Sequence, residues 1–214
     1  MGRSEGQAQI LSQNELKSVI LSFLGDKYEL RNKAILLLSF KVGLRAKEIS
    51  AITLEDVLTR SAISKYNSAK LTADLQFNSN DIRETITMRS KVSKGQKIDK
   101  AYIRCDAMID ALVDYLPIRR ESFQRGDIDN LFLTQKGSCF SPTVMSQLFM
   151  SMSKKSGIEF SSHSGRRTLC TNLVHKGVHI FDIQAIMRHS DISTTMLYYQ
   201  KDERRLGNLM EENQ

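Results

Sequence analysis

Apolar positions recur at helical spacing through most of the chain. Leu16, Val19, Ile20, Phe23 and Leu24 follow Ser12-Gln-Asn-Glu15, a serine and a glutamate spaced as a capping box. Gly25-Asp26 breaks that helix. A second helix over residues 27–42 is apolar nearly all round, which predicts a central position, and Gly43 stops it. A short helix over 46–51 follows, and Thr53-Leu-Glu-Asp56 reads as a cap before a turn. Residues 61–81 are polar without a period, and no element is predicted there.

Residues 84–91 alternate in the manner of a strand, 92–97 form a turn containing Gly95, and 98–104 return as a second strand, which together predict a hairpin. Asp106 caps a helix to about residue 116, ended by Pro117. A short strand is predicted over 131–134, and Ser141-Pro-Thr opens a helix to about residue 155. The last third reads as helices over 163–175, closed by Gly177, then 181–188 and 193–199, with a polar tail helix from about 202. The expected fold is mainly α with a small antiparallel β-sheet (α+β). One domain is expected over 12–200, after a flexible leader (1–11) and before a tail (201–214).

Composition narrows the class. Among 214 residues, 41% are hydrophobic and 26% charged, with two prolines and eleven glycines, which excludes a disordered chain. No apolar run reaches the roughly 18 residues of a membrane span, and the N-terminus lacks a signal peptide's apolar stretch. A cytoplasmic protein with no membrane partner is expected. Cys105, Cys139 and Cys170 have neither metal-ligand nor disulfide spacing, so buried or half-buried free thiols are expected. Net charge is +7, in the direction expected of a polyanion binder. Residues 89–100 concentrate it: Arg89, Lys91, Lys94, Lys97 and Lys100 stand against Asp99 alone. Composition by itself leaves open a merely solvated hairpin.

Unusual side chains gather near the end. His163-Ser-Gly-Arg166 sits at a helix start, where exposed N–H groups favour anions. His189 follows a helix end, and Tyr198-Tyr199 lie on the next helix. Singly, these are a cap, an ion pair and a core aromatic. Together with two earlier segments they resemble the tyrosine recombinase (phage integrase) family. The segment Gly43-Leu-Arg-Ala-Lys-Glu-Ile-Ser50 is similar to its first arginine box, and Ser93-Lys94-Gly95 to its hairpin lysine. His163-Ser-Gly-Arg-Arg167 is similar to its His-x-x-Arg box. His189-Ser-Asp-Ile-Ser-Thr-Thr-Met-Leu-Tyr198 carries the tyrosine nine positions on, the family's usual spacing.

The resemblance implies a catalytic domain shared with type IB topoisomerases, and metal-independent cleavage and rejoining of double-stranded DNA with no cofactor. Arg45 and Arg166 would neutralise the charge building on the phosphate. His163 and His189 would supply hydrogen bonds and proton handling. Lys94 would protonate the leaving 5′-oxygen, and Tyr198 would attack phosphorus to give a 3′-phosphotyrosyl link. Glu48 would orient Arg45 or the hairpin. Lys91, Lys97, Arg167 and Arg188 are candidate DNA contacts. Tyr199 is the rival nucleophile, pointing about 100° away around a helix. Site-specific recombination by a homotetramer on two DNA sites, monomeric off DNA, is the expected function; supercoil relaxation and non-catalytic DNA binding are the alternatives. Two departures stand out. Met187-Arg188-His189 replaces the family's frequent Leu-Gly-His, and only about eleven residues precede the Ser12 capping box, where family members usually carry a core-binding domain. A naturally compact member and a shortened chain both fit.

Overall fold

The structure, a computed structural model, describes residues 8–69, 75–88, 99–122 and 129–199. Helix α1 (Gln13–Leu21) begins as its pattern predicts: the Ser12 hydroxyl accepts the Glu15 N–H, and the Glu15 carboxylate accepts that of Ser12 at 2.7 Å. Helix α2 (Glu29–Val42) is the centre of the molecule. Ile35, Leu36 and Leu38 are wholly buried, each such burial contributing about 1.5–3 kcal/mol. On it pack α3 (Ala46–Ala51), α6 (Asp106–Ser122) and α8 (Ser164–His175).

Strand β1 (Thr85–Met88) pairs antiparallel with β2 (Asp99–Tyr102), placing Ile86 opposite Ala101 with both side chains buried. Helix α4 (Leu54–Val57) lies against β1. Helix α7 (Pro142–Ser156) opens on the Ser141 cap and packs on α3 and α1. The C-terminal helices α8, α9 (Ile180–Met187) and α10 (Ser193–Tyr199) enclose a second apolar cluster of Cys170, Val174, Ile183 and Met187. The architecture is therefore mainly α with a two-stranded antiparallel sheet. Among the described residues no helix is long and apolar enough to cross a membrane.

Several local expectations fail for identifiable reasons. Residues within 61–81, left without an element, contain helix α5 (Arg60–Ser68) and a 3₁₀ turn at Ser79–Asp81. Thr59 caps α5, and buried Tyr66 anchors it by accepting a 2.9 Å bond from Arg119. Pro117 does not end α6. The helix continues because Arg119, beyond the proline, is buried and bound to Tyr66 Oη and to the Asn130 carbonyl at 2.7 Å. Residues 131–134 form no strand: Asn130 bridges Thr53 and Leu133 bridges Cys139, so the bridges have different partners and no ladder builds. Cys139 is exposed rather than half-buried, because it stands at that exposed turn with its thiol on Asn130 Oδ1. Residues 8–11, expected within a flexible leader, are tied to α8: Leu11 is buried, and its N–H donates to Thr168 Oγ1 at 3.0 Å. The predicted tail helix lies outside the described residues.

Candidate active site

The site begins where α2 stops. Gly43 has φ +72°, a left-handed conformation that suits glycine, and it turns the chain so that Arg45 caps α3. Glu48, one turn on, accepts the Arg45 N–H at 2.7 Å on Oε2 and Arg45 Nη1 at 2.9 Å on Oε1. The Arg45 side chain nevertheless keeps 41% exposure, so the same guanidinium also faces outward. Burial pushes the Glu48 carboxyl up. The bond from the Arg45 N–H and the charges of Arg188, Arg45 and Arg166 outweigh it and hold the group below the usual carboxylate range.

Helix α8 brings the second arginine against this turn. Its cap residue, His163, is exposed, while Gly165 lies directly on Ser39 of α2. Arg166 is only 7% exposed; Nη1 donates to the Gly43 carbonyl at 2.8 Å and Nη2 to the Met187 carbonyl. One side chain thus ties together the ends of α2 and α9. Burial, then the nearby charges of Arg45 and Arg188, lowers the Arg166 guanidinium to about 10, which still leaves it cationic at neutral pH.

Helix α9 ends on Arg188 in the left-handed region (φ 52°, ψ 45°), the one described non-glycine residue with positive φ. This conformation costs a side-chain-bearing residue roughly 1–2 kcal/mol. The turn delivers His189 to the site, half-buried, with Nδ1 2.8 Å from Thr195 Oγ1 of α10. Burial, followed by the charges of Arg166, Arg45 and Arg188, lowers the imidazole to about 4, so it is neutral at pH 7. Tyr198, one turn after Thr195, is half-buried against the α8–α9 cluster. Burial and the neighbouring Cys170 raise its phenol above the usual range, while Arg167 and Arg166 pull the other way. At rest the phenol is protonated, and attack requires its proton to leave.

Arg166 is thereby within electrostatic reach of Arg45, His189 and Tyr198, and is the group that links them. His163 stands one turn before Arg166, at the exposed start of α8. Lys91, Lys94 and Lys97 lie outside the described residues. Two residues expected to contact DNA also bond within the protein. Arg167 Nη1 donates to the Ala8 carbonyl, holding the N-terminal segment on α8. The Arg188 side chain is 4% exposed and donates to Glu48 Oε2 and the Gly43 carbonyl, both at 3.3 Å, because its left-handed backbone aims it into the α2–α3 turn. Thr195 was not foreseen. Its only signal was a hydroxyl on the tyrosine's helix, one turn before Tyr198.

This arrangement can hold an oxyanion between two arginines. Neutral His189 adds a hydrogen-bonding group whose direction Thr195 sets: if Nδ1 accepts the hydroxyl proton, Nε2 is a donor.

Residues 9–205 match the Phage integrase family. Among curated relatives, the TnP I resolvase of Bacillus thuringiensis is 27% identical over 175 residues, 79% of this chain and 60% of that protein. Tyrosine recombinase XerC of Caldanaerobacter subterraneus is 28% identical over 207 residues, covering 95% of this chain and 50% of the relative. The chain spans between about two fifths and three fifths of the curated relatives it matches first. Among solved structures, the crystal structure of XerA recombinase superposes with a TM-score of 0.71 at 22% identity, over 99% of this chain and 67% of that one. XerH site-specific recombinase bound to palindromic difH substrate, a post-cleavage complex, gives 0.67 at 20% identity, over 95% and 52%. At these identities the likeness establishes the fold.

Proposed function

The chain belongs to the phage integrase family, and on that premise we propose that it is the catalytic part of a site-specific DNA recombinase acting through a covalent 3′-phosphotyrosyl intermediate. The observation that carries this reading is Arg166. It is a buried guanidinium fixed by two backbone carbonyls, beside Arg45 and His189 and within the electrostatic reach of Tyr198. A buried, positively charged corner of this kind suits a phosphodiester held for in-line attack.

In the proposed step the Tyr198 oxygen attacks phosphorus as its proton departs. The new O–P bond forms while the bond to the 5′-oxygen breaks, and Lys94 gives that oxygen its proton. Arg45 and Arg166 take the charge that grows on the nonbridging oxygens, and His163 and His189 add hydrogen bonds. Removing one such donor typically costs about 100- to 1,000-fold in rate. Reversal with a different 5′-hydroxyl rejoins the strand and conserves the bond energy.

The partner is double-stranded DNA, bound by monomers that assemble as a tetramer on two sites; DNA association fixes where in the cell the protein works. Relatives in solved structures include Tn1549 transposon integrase in complex with transposon right-end DNA, which supports the partner class. The deciding experiment supplies either one supercoiled plasmid without a recombination site or two duplexes bearing it. Joined products from the two-site reaction support recombination. Relaxation alone points to a topoisomerase, and binding without either reaction to an accessory protein.

A further inference from the structure

The resembling family frequently carries glycine where this chain has Arg188, and two unfavourable features are kept there together. The backbone is left-handed, and a guanidinium is enclosed with 4% exposure. Both converge on one acceptor. Glu48 Oε1 takes Arg45 Nη1, while Oε2 takes the Arg45 N–H and Arg188 Nη2. Glu48 is therefore needed to hold Arg45, yet as an anion it opposes the charge that Arg45 offers to a phosphate. A second, inward-facing arginine resolves that conflict. Three guanidinium groups and one carboxylate leave two net positive charges at the site; without Arg188 a single one would remain. Being shielded from solvent, this charge acts with little screening by salt.

We propose that Arg188 is a positioning residue of the strand-transfer site, the standing counter-ion of Glu48, so that the carboxylate fixes Arg45 without cancelling the positive charge presented to DNA. This rests on the phosphotyrosyl reading above. Arg188 does not itself touch the phosphate: its Nη groups are directed to Glu48 and to the carbonyls of Gly43 and Ile186.

The backbone geometry makes the test clean. Glycine and asparagine accept φ 52° more readily than arginine, so Arg188→Gly and Arg188→Asn should fold with thermal stability near wild type. Both should nevertheless slow covalent adduct formation on the order of 10- to 100-fold, less than loss of a direct phosphate donor. A wild-type rate in Arg188→Gly overturns the proposal. A second readout needs no DNA. The charges facing His189 are Arg166 from α8, Arg45 from α3 and its neighbour Arg188, with Thr195 supplied by α10. NMR titration of His189 in the free protein should move to higher pH in Arg188→Gly and partly reverse in Arg188→Lys. An unmoved titration refutes Arg188's electrostatic role even if the wild-type protein forms no adduct, an outcome that would count against the phosphotyrosyl reading separately.

Discussion

Gly165 rests on the backbone of Ser39: a Cβ built on Gly165 would lie 2.3 Å from Ser39 Oγ, 2.6 Å from its carbonyl carbon and 2.8 Å from its carbonyl oxygen. This contact sets how closely α8 approaches α2, and hence where Arg166 meets the Gly43 carbonyl. Backbone atoms of a central helix cannot move aside as a flexible side chain can. Gly165→Ala should therefore destabilise the protein by about 3 kcal/mol, at the upper end of overpacking effects. Adding Ser39→Ala should not restore stability, because the carbonyl clash remains. Urea denaturation of the single and double variants checks both expectations.

The two candidate phosphate-binding arginines should separate in their effect on folding. Arg166 is 7% exposed and bridges two carbonyls from different elements, whereas the Arg45 side chain is 41% exposed and pairs with Glu48. Lysine is a point charge and cannot span both carbonyls. Arg166→Lys should lose about 2–3 kcal/mol of stability, and Arg45→Lys less than about 1 kcal/mol. Both should lose most DNA cleavage. Equal stability of the two variants would show that the Arg166 bonds contribute little to the fold.

Acid should weaken the fold through His189. Its folded value near 4 lies below the ordinary 6.5, so between these limits the unfolded chain binds a proton that the folded chain does not. Stability therefore rises with pH through this window, is fully present above it, and is lost on acidification. Glu48, held low, adds a loss at still lower pH that His189→Asn would retain. Urea melts from about pH 4 to 7 should show a flatter stability profile in His189→Asn than in wild type. Identical profiles would mean that the imidazole titrates alike folded and unfolded.

Much of this site was legible in the chain because its parts are local. The Ser12 capping box, the apolar run of α2, the Gly43 stop and the nine-residue step from His189 to Tyr198 each lie within a few turns of sequence. What escaped depends on partners far away. Helix α5 is a polar sequence held by Tyr66 on Arg119, 53 residues on, and α6 survives Pro117 through that same arginine. Arg188 reads as a candidate DNA contact because nothing in its sequence neighbourhood reveals Glu48, 140 residues earlier. Tertiary partners, rather than local propensity, decide such positions.

In the proposed step Lys94 protonates the leaving oxygen, a role separable from phosphate binding. Lys94→Ala should slow cleavage far more than it weakens DNA binding. A substrate with sulfur at the 5′-bridging position has a leaving group that needs no proton, and should restore cleavage to the variant. Failure of that substrate to rescue would reduce Lys94 to a phosphate contact.

The central claim is that the Tyr198 oxygen becomes bonded to DNA. The direct measurement is covalent capture on a nicked suicide substrate bearing the protein's recombination site, with the adduct resolved under denaturing conditions and mapped by mass spectrometry. Wild type and Tyr199→Phe should yield an adduct. Tyr198→Phe should yield none while binding the same DNA with affinity within about threefold, because only the nucleophilic oxygen is removed. An adduct that persists in Tyr198→Phe, or maps to another residue, would contradict the account.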